Sequence, residues 1–196
     1  MNAFSPLPNA FAPLPLAARP LETDVAGFRD AMRQLAGGVT VITAGIGEDR
    51  TGLTATSPTS LSMDPPTILV CINRTSSAFP VIASYRHFAV NLLAADQQAV
   101  AENFTGKGGL RGAERYRGAE WTTLQSAAPI LEGALAAVDC EVEELIERHS
   151  HVIVLGRVVA VRNSAKAAAL VYWRGGYDAL DAAPASISLA AGLAAY

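Results

Sequence analysis

His149-Ser150-His151 places two imidazoles two residues apart. On a strand both would share one face, and such a pair suits a metal ion. No third histidine or carboxylate stands at a diagnostic spacing. A metal-binding β-barrel enzyme using His149 and His151 is therefore the lesser reading, and an ordinary half-exposed strand start the plainer one. A second candidate is Asn73-Arg74-Thr75-Ser76-Ser77, where an apolar run ends and a helix is predicted to open with Ser77 as its cap. Free N–H groups at a helix start, two serines and Arg74 would suit a phosphate. The alternative is a capped helix beside a surface arginine.

Gly52-Leu53-Thr54-Ala55-Thr56-Ser57-Pro58-Thr59-Ser60-Leu61-Ser62 is dense in hydroxyls. It could cradle a polar planar ligand, or be an ordinary Ser/Thr-rich strand and turn. Trp173-Arg174-Gly175-Gly176-Tyr177 is an aromatic and basic turn able to stack on a ring system. Nucleophile elbows, P-loops and the dinucleotide glycine fingerprint are absent; Gly106-Lys107 is followed by Gly108 where a P-loop needs a hydroxyl.

Several elements must position these residues. Residues 25–35 carry Val25, Phe28, Met32 and Leu35 at helical spacing, with Thr23 or Asp24 as cap and Gly37-Gly38 as stop. Strands are predicted over 39–44, 50–56, 67–72, 88–93, 134–146, 151–162 and 170–173, and further short helices over 77–85 and 94–104. Residues 106–118 read as a loop rich in Gly and Arg. About seven strands and three helices without strict alternation argue for a mainly β, antiparallel barrel with flanking helices.

The chain has 196 residues, 20.4 kDa and a formal net charge of −3, with 15 basic and 18 acidic residues. That balance leaves no electrostatic footprint for nucleic acid. Hydrophobic residues make up 51% and charged residues 17%, which excludes wholesale disorder and leaves few charges to coat a monomer. No apolar run reaches the roughly 18 residues of a membrane span. Prolines at 6, 8, 13, 15 and 20 mark residues 1–21 as an extended arm and not a targeting signal, and 182–196 as a weakly patterned tail around a domain at 22–181. Cys71 and Cys140 read as two buried, reduced thiols in a cytoplasmic protein.

In order along the chain, several blocks together resemble the flavin reductase family, the reductase components of two-component flavin-dependent monooxygenases. They are Phe28-Arg29-Asp30-Ala31-Met32, Gly38-Val39-Thr40-Val41-Ile42-Thr43, Gly52-Leu53-Thr54-Ala55-Thr56-Ser57, Pro65-Pro66 through Asn73, Phe88-Ala89-Val90-Asn91, Asn103-Phe104-Thr105-Gly106, Trp121, Pro129 through Gly133, and His151 through Val158. The resemblance implies the FMN-binding split β-barrel of antiparallel, Greek-key type. It also implies hydride transfer from NADH or NADPH to FMN, or to FAD, in a homodimer that supplies reduced flavin to a partner monooxygenase. It places Thr54, Ala55, Thr56 and Ser57 along the flavin ring and ribityl chain, and Cys71, Ile72 and Asn73 against it through backbone. Ser76 and Ser77 would hold the phosphate, with Asn103, Phe104 and Lys107 closing that side. His151 would be the catalytic-site histidine near the nicotinamide, with Arg174 and Tyr177 beside it. A non-catalytic flavin-binding barrel is the rival reading. The family's Gly-Asp-His is His149-Ser150-His151 here, and His149 resists the positive φ that glycine tolerates.

Overall fold

The computed structural model describes residues 24–165 and 168–181. The expected arm at 1–21 and tail at 182–196 lie outside the described residues. The chain divides into two compact units, Met1–Met32 and Arg33–Tyr196. In the first, helix α1 spans Val25–Met32, and Asp24 caps it by accepting the Gly27 N–H at 2.8 Å. Its end falls short of Gly37-Gly38. The carbonyls of Arg33 and Gln34 accept instead from Arg174 N–H and Trp173 Nε1–H, each at 3.2 Å. Gly37–Gly38 form a short strand, β1, not a helix stop.

The second unit is built on strands β2 (Thr40–Ala44), β3 (Thr51–Ala55), β4 (Thr59–Met63), β5 (Pro66–Asn73), β6 (His87–Leu92), β7 (Trp121–Thr123), β8 (Pro129–Leu131), β9 (Ala136–Arg148), β10 (His151–Asn163), β11 (Ala169–Trp173) and β12 (Gly176–Leu180). Seven form one antiparallel sheet in the order β3-β2-β6-β9-β10-β5-β4. Its two edge strands, β3 and β4, are joined by only Thr56, Ser57 and Pro58. Four Cα steps reach at most about 14 Å, whereas seven strands laid flat span roughly 29 Å. The sheet must therefore curl until its edges nearly meet. Ser57 ties this link to β5, the strand beside β4: its hydroxyl accepts from Cys71 N–H at 3.3 Å and donates to the Cys71 carbonyl at 3.2 Å. This is an antiparallel barrel left split, as expected.

Period-two alternation sorts side chains between two cores. Ile42, Phe88, Val90, Cys140, Val152, Val154, Val70 and Ile72 fill the curled sheet, where helix α2 (Ala78–Tyr85) adds Ala78 and Ile82. Gly156 is required by the Phe88 ring, since a Cβ there would sit 2.5 Å from Phe88 Cζ. Val39, Val41 and Leu93 point the other way and pack with Val100, Phe104, Tyr116 and Leu170 beneath helix α3 (Gln98–Phe104) and the β1-β11-β12 sheet. Strands covered on both faces explain why 39–44 and 88–93 read as continuous apolar runs.

Besides β1, four strands escape the sequence pattern: β4, β7, β8 and β12. The first two lie in Ser/Thr-rich or polar stretches, and β8 is held by buried Asn91, whose Oδ1 accepts the Leu131 N–H at 2.8 Å. The 106–118 stretch is more than a loop: a 3₁₀ turn over Gly112–Tyr116 buries Arg115 and Tyr116. Cys140 is buried as expected, but Cys71 is exposed, because its side chain lies on the opposite face of β5 from Val70 and Ile72. No helix among the described residues is long and apolar enough to cross a membrane.

Candidate functional site

Two clefts meet along β3 and share Thr54 and Thr105. The first, about 610 Å³, has Thr54, Ala55 and Thr56 on one wall and Tyr172, Gly175 and Tyr177 of the β11–β12 hairpin on the other; Glu102, Lys107 and Gly108 complete it. The Tyr172 and Tyr177 rings meet edge to face, with centroids 5.4 Å apart. Burial first, then Glu102 and then Tyr172, push the Tyr177 phenol above its usual value and hold it protonated. Thr54 spends its proton on the Ala101 carbonyl at 2.5 Å, which fixes β3 to α3. The cleft thus sets an aromatic wall against a strand bearing Thr54, Ala55 and Thr56, a make-up that suits a planar ring with polar edges.

The second cleft, about 500 Å³, is lined by Thr75, Ser76, Ser77, Arg111 and Arg115, with Phe104 and Asn73. Arg115 is only 9% exposed. Its Nε donates to the Leu110 carbonyl at 3.1 Å and its Nη1 to the Gly52 carbonyl. No carboxylate pairs with it among the described residues. Desolvation accordingly pulls its pKa down, with Tyr116 a smaller opposing influence. A buried cation with carbonyl partners only is an unbalanced charge facing a cleft, and an anion in that cleft would balance it.

At the helix start the cap differs from expectation. Ser77 has helical φ and ψ and makes no capping bond; Ser76 Oγ accepts the Ala78 N–H at 3.3 Å instead. The turn before it is tied by Asn73, whose Oδ1 accepts from Thr75 N–H and Thr75 Oγ1–H, both at 2.9 Å. That leaves Ser77 to face the cleft, while the Phe79 N–H donates to the Ser76 carbonyl at 3.2 Å. Arg74 does not join Ser77 there, because it pairs with Glu147 at 3.3 Å.

Of the residues singled out from sequence, the first cleft gathers Thr54, Ala55, Thr56, Lys107 and Tyr177, and the second Thr54, Asn73, Ser76, Ser77 and Phe104. Ser57 and Cys71 are spent on the tie between the β3–β4 link and β5. Ile72 is wholly buried. Asn103 donates to the Arg117 carbonyl at 3.0 Å and so braces the loop. Arg174 turns away from the first cleft: its Nε donates to Gln34 Oε1 at 2.9 Å and its guanidinium lies 4.5 Å from the Trp173 ring centre. His151 pairs across the sheet with Asn73, and its Nδ1 sits 2.9 Å from Ser150 Oγ. It lines neither cleft. His149 adopts φ +51°, so the turn keeps the shape that glycine would favour. Among the described residues no cluster of three metal-ligating side chains exists, so the His149/His151 pair gains no third ligand.

Sequence reasoning missed Arg111, Arg115, Thr105, Glu102 and Tyr172. A signal for the first two was present: Glu114 follows Arg111 by three and accepts its N–H at 3.2 Å, a turn-initiating spacing hidden among glycines.

A family model described as a flavin reductase like domain matches residues 32–181. An FMN reductase (NADH), RutF, of Klebsiella pneumoniae is 37% identical over 158 residues, covering 81% of this chain and 95% of its own. BorF, the flavin reductase component of a bacterial two-component tryptophan halogenase, superposes with a TM-score of 0.75 at 32% identity, over 82% of this chain and all of the other. The styrene monooxygenase flavin reductase of Pseudomonas putida S12 does so with a TM-score of 0.70 at 28% identity, over 81% of this chain and 99% of the other.

Proposed function

The chain belongs to the flavin reductase like domain family, and on that premise we propose that it transfers a hydride from NADH to FMN and passes the reduced flavin to a partner monooxygenase. The observation that carries this reading is the pair of joined clefts, one walled by tyrosines and β3, the other backed by the unbalanced Arg115. Together they offer a place for rings and, one strand residue further on, a place for a phosphate.

Flavin, when bound, supplies the hydride acceptor, and reduced nicotinamide the donor. This chain's residues align and shield. Thr54, Ala55 and Thr56 present the β3 wall, Tyr177 and Tyr172 close the opposite side and exclude water, and Arg115, Arg111, Ser76 and Ser77 anchor the phosphate. Orientation of two rings removes entropy from the barrier, and no side chain need act as acid or nucleophile. Ser57, Cys71, Ile72 and Asn103 support the walls from behind. His151, with Nδ1 fixed by Ser150, meets the nicotinamide nucleotide outside the cleft walls, and Arg174 orients the hairpin that carries Tyr177.

The protein works as a cytoplasmic homodimer through its domain at 22–181. Support comes from two free cysteines and from Leu61, Met63 and Val161, each more than half exposed. The deciding experiment is anaerobic: NADH is mixed with FMN and the purified protein, and loss of the oxidised flavin's absorbance is followed. Catalytic bleaching supports the reading. FMN binding without NADH oxidation would make the protein a carrier instead.

A further inference from the structure

Charge is unevenly spread across the first cleft. Lys107 lines the first cleft from the glycine-rich loop, which also carries Arg111 and Arg115 of the second. Glu102, the one carboxylate among the described residues that line the first cleft, stands near Tyr177 and raises that phenol's pKa. Its Oε1 accepts from Gln98 Nε2 at 2.8 Å, one helical turn back, which steadies the carboxylate where it is. With Arg174 committed to Gln34 and Trp173, no arginine lines the tyrosine end among the described residues.

A flavin phosphate against Arg115 takes the cationic end. A dinucleotide whose nicotinamide stacks on the shared wall must then lead its adenosine half out along the tyrosine end, past Glu102. A cleft of about 610 Å³ is roughly 8 Å across, no more than about one Debye length at physiological salt. An added phosphate dianion there meets Glu102 with little screening. Dinucleotide sites that accept a 2′-phosphate supply an arginine for it, and those that refuse it hold an acidic residue near the ribose.

Resting on the function proposed above, we infer that Glu102 is a specificity-determining residue: its carboxylate turns away dinucleotides carrying a 2′-phosphate and so makes NADH the preferred donor over NADPH. Among the described residues no arginine lines the first cleft to hold a 2′-phosphate, and a repulsive element is present, the two parts of a specificity device.

The test is the ratio of kcat/KM for NADPH to that for NADH, measured with FMN on the full chain as wild type, Glu102→Gln and Glu102→Lys. Loss of the charge should raise the ratio about fivefold and its reversal more than about tenfold, with both gains shrinking in high salt. A purely structural role would lower both turnovers together and leave the ratio still. The glutamine variant keeps an oxygen for Gln98, so it carries the test if the lysine variant does not fold. A ratio within about twofold of wild type in Glu102→Gln, with NADH turnover intact, overturns the inference alone. A wild-type protein that does not oxidise NADH overturns the function beneath it as well.

Discussion

The two clefts are built differently. The second is lined from inside the fold: Arg115 is buried, grips carbonyls of β3 and of the glycine-rich loop, and stands beside a helix start. The first is lined from outside, by an exposed hairpin and the exposed end of α3. One site is thus costly to alter and strongly charged, and the other open and near neutral. Such a division suits a protein that must hold one ligand by its anion while exchanging another over a flat ring.

The largest expected effect breaks the second cleft. Arg115→Met removes the balancing cation and strands two acceptors, so stability should fall by about 2–4 kcal/mol and the FMN dissociation constant should rise about a hundredfold. Thermal melts and fluorescence titration measure both. Riboflavin, which has no phosphate, should lose far less affinity, and an equal loss for the two ligands would place the phosphate elsewhere.

Next come the nicotinamide-side residues. Tyr177→Ala and His151→Ala should each lower kcat/KM for NADH by roughly 10- to 100-fold with little change in FMN affinity. If Tyr177→Ala instead releases FMN, the clefts do not divide the two ligands. His149→Ala is the internal control and should change turnover less.

The helix start sharpens the comparison on a finer scale. Ser76→Ala should cost about 1 kcal/mol of stability, because Ser76 caps the helix, whereas Ser77→Ala should leave the melting temperature alone. Each should weaken FMN by about 1 kcal/mol. Equal melting losses in both variants would contradict the capping assignment.

The smallest effect lies outside both clefts. His87 is buried, and its Nε2 has no partner. Burial holds its pKa below the usual 6.5, against smaller opposing pulls from Asp139 and the Gly45 carbonyl. The unfolded chain therefore binds the proton more readily, and the stability this histidine contributes is full above pH 6.5 and lost as pH falls below it. Thermal melts should show that acid-side loss in wild type and a flatter profile in His87→Gln. FMN affinity should not separate the two proteins.

Much of the site's outline was legible because its pieces are local. Thr54 to Thr56, Ser76, Ser77 and Tyr177 lie in short segments with strong turn or strand chemistry, and the ordered blocks named the fold. The hidden parts depend on long-range packing. Arg115 reaches Gly52 across 63 positions, and no spacing rule marks an arginine in a polar loop as buried. Arg74 is the reverse case, a cation in the right segment drawn off by Glu147 on the neighbouring hairpin. β8 and β12 are three and five residues long, and β8 exists because Asn91 and Trp121 hold it, so their own sequence carries little signal.

The three-residue link between the sheet's edges also bears on how the chain finds its shape. β3 and β4 are neighbours in sequence, yet every strand between them in the sheet, except β2, is synthesised later. The curl can close only after β5, β6, β9 and β10 have paired, and two of those pairings, β5 with β10 and β6 with β9, join segments tens of residues apart. High contact order of this kind sets folding on the millisecond-to-second scale and leaves half-formed edges open to other chains meanwhile. Refolding followed by stopped-flow fluorescence should be slow, and its yield should fall as protein concentration rises.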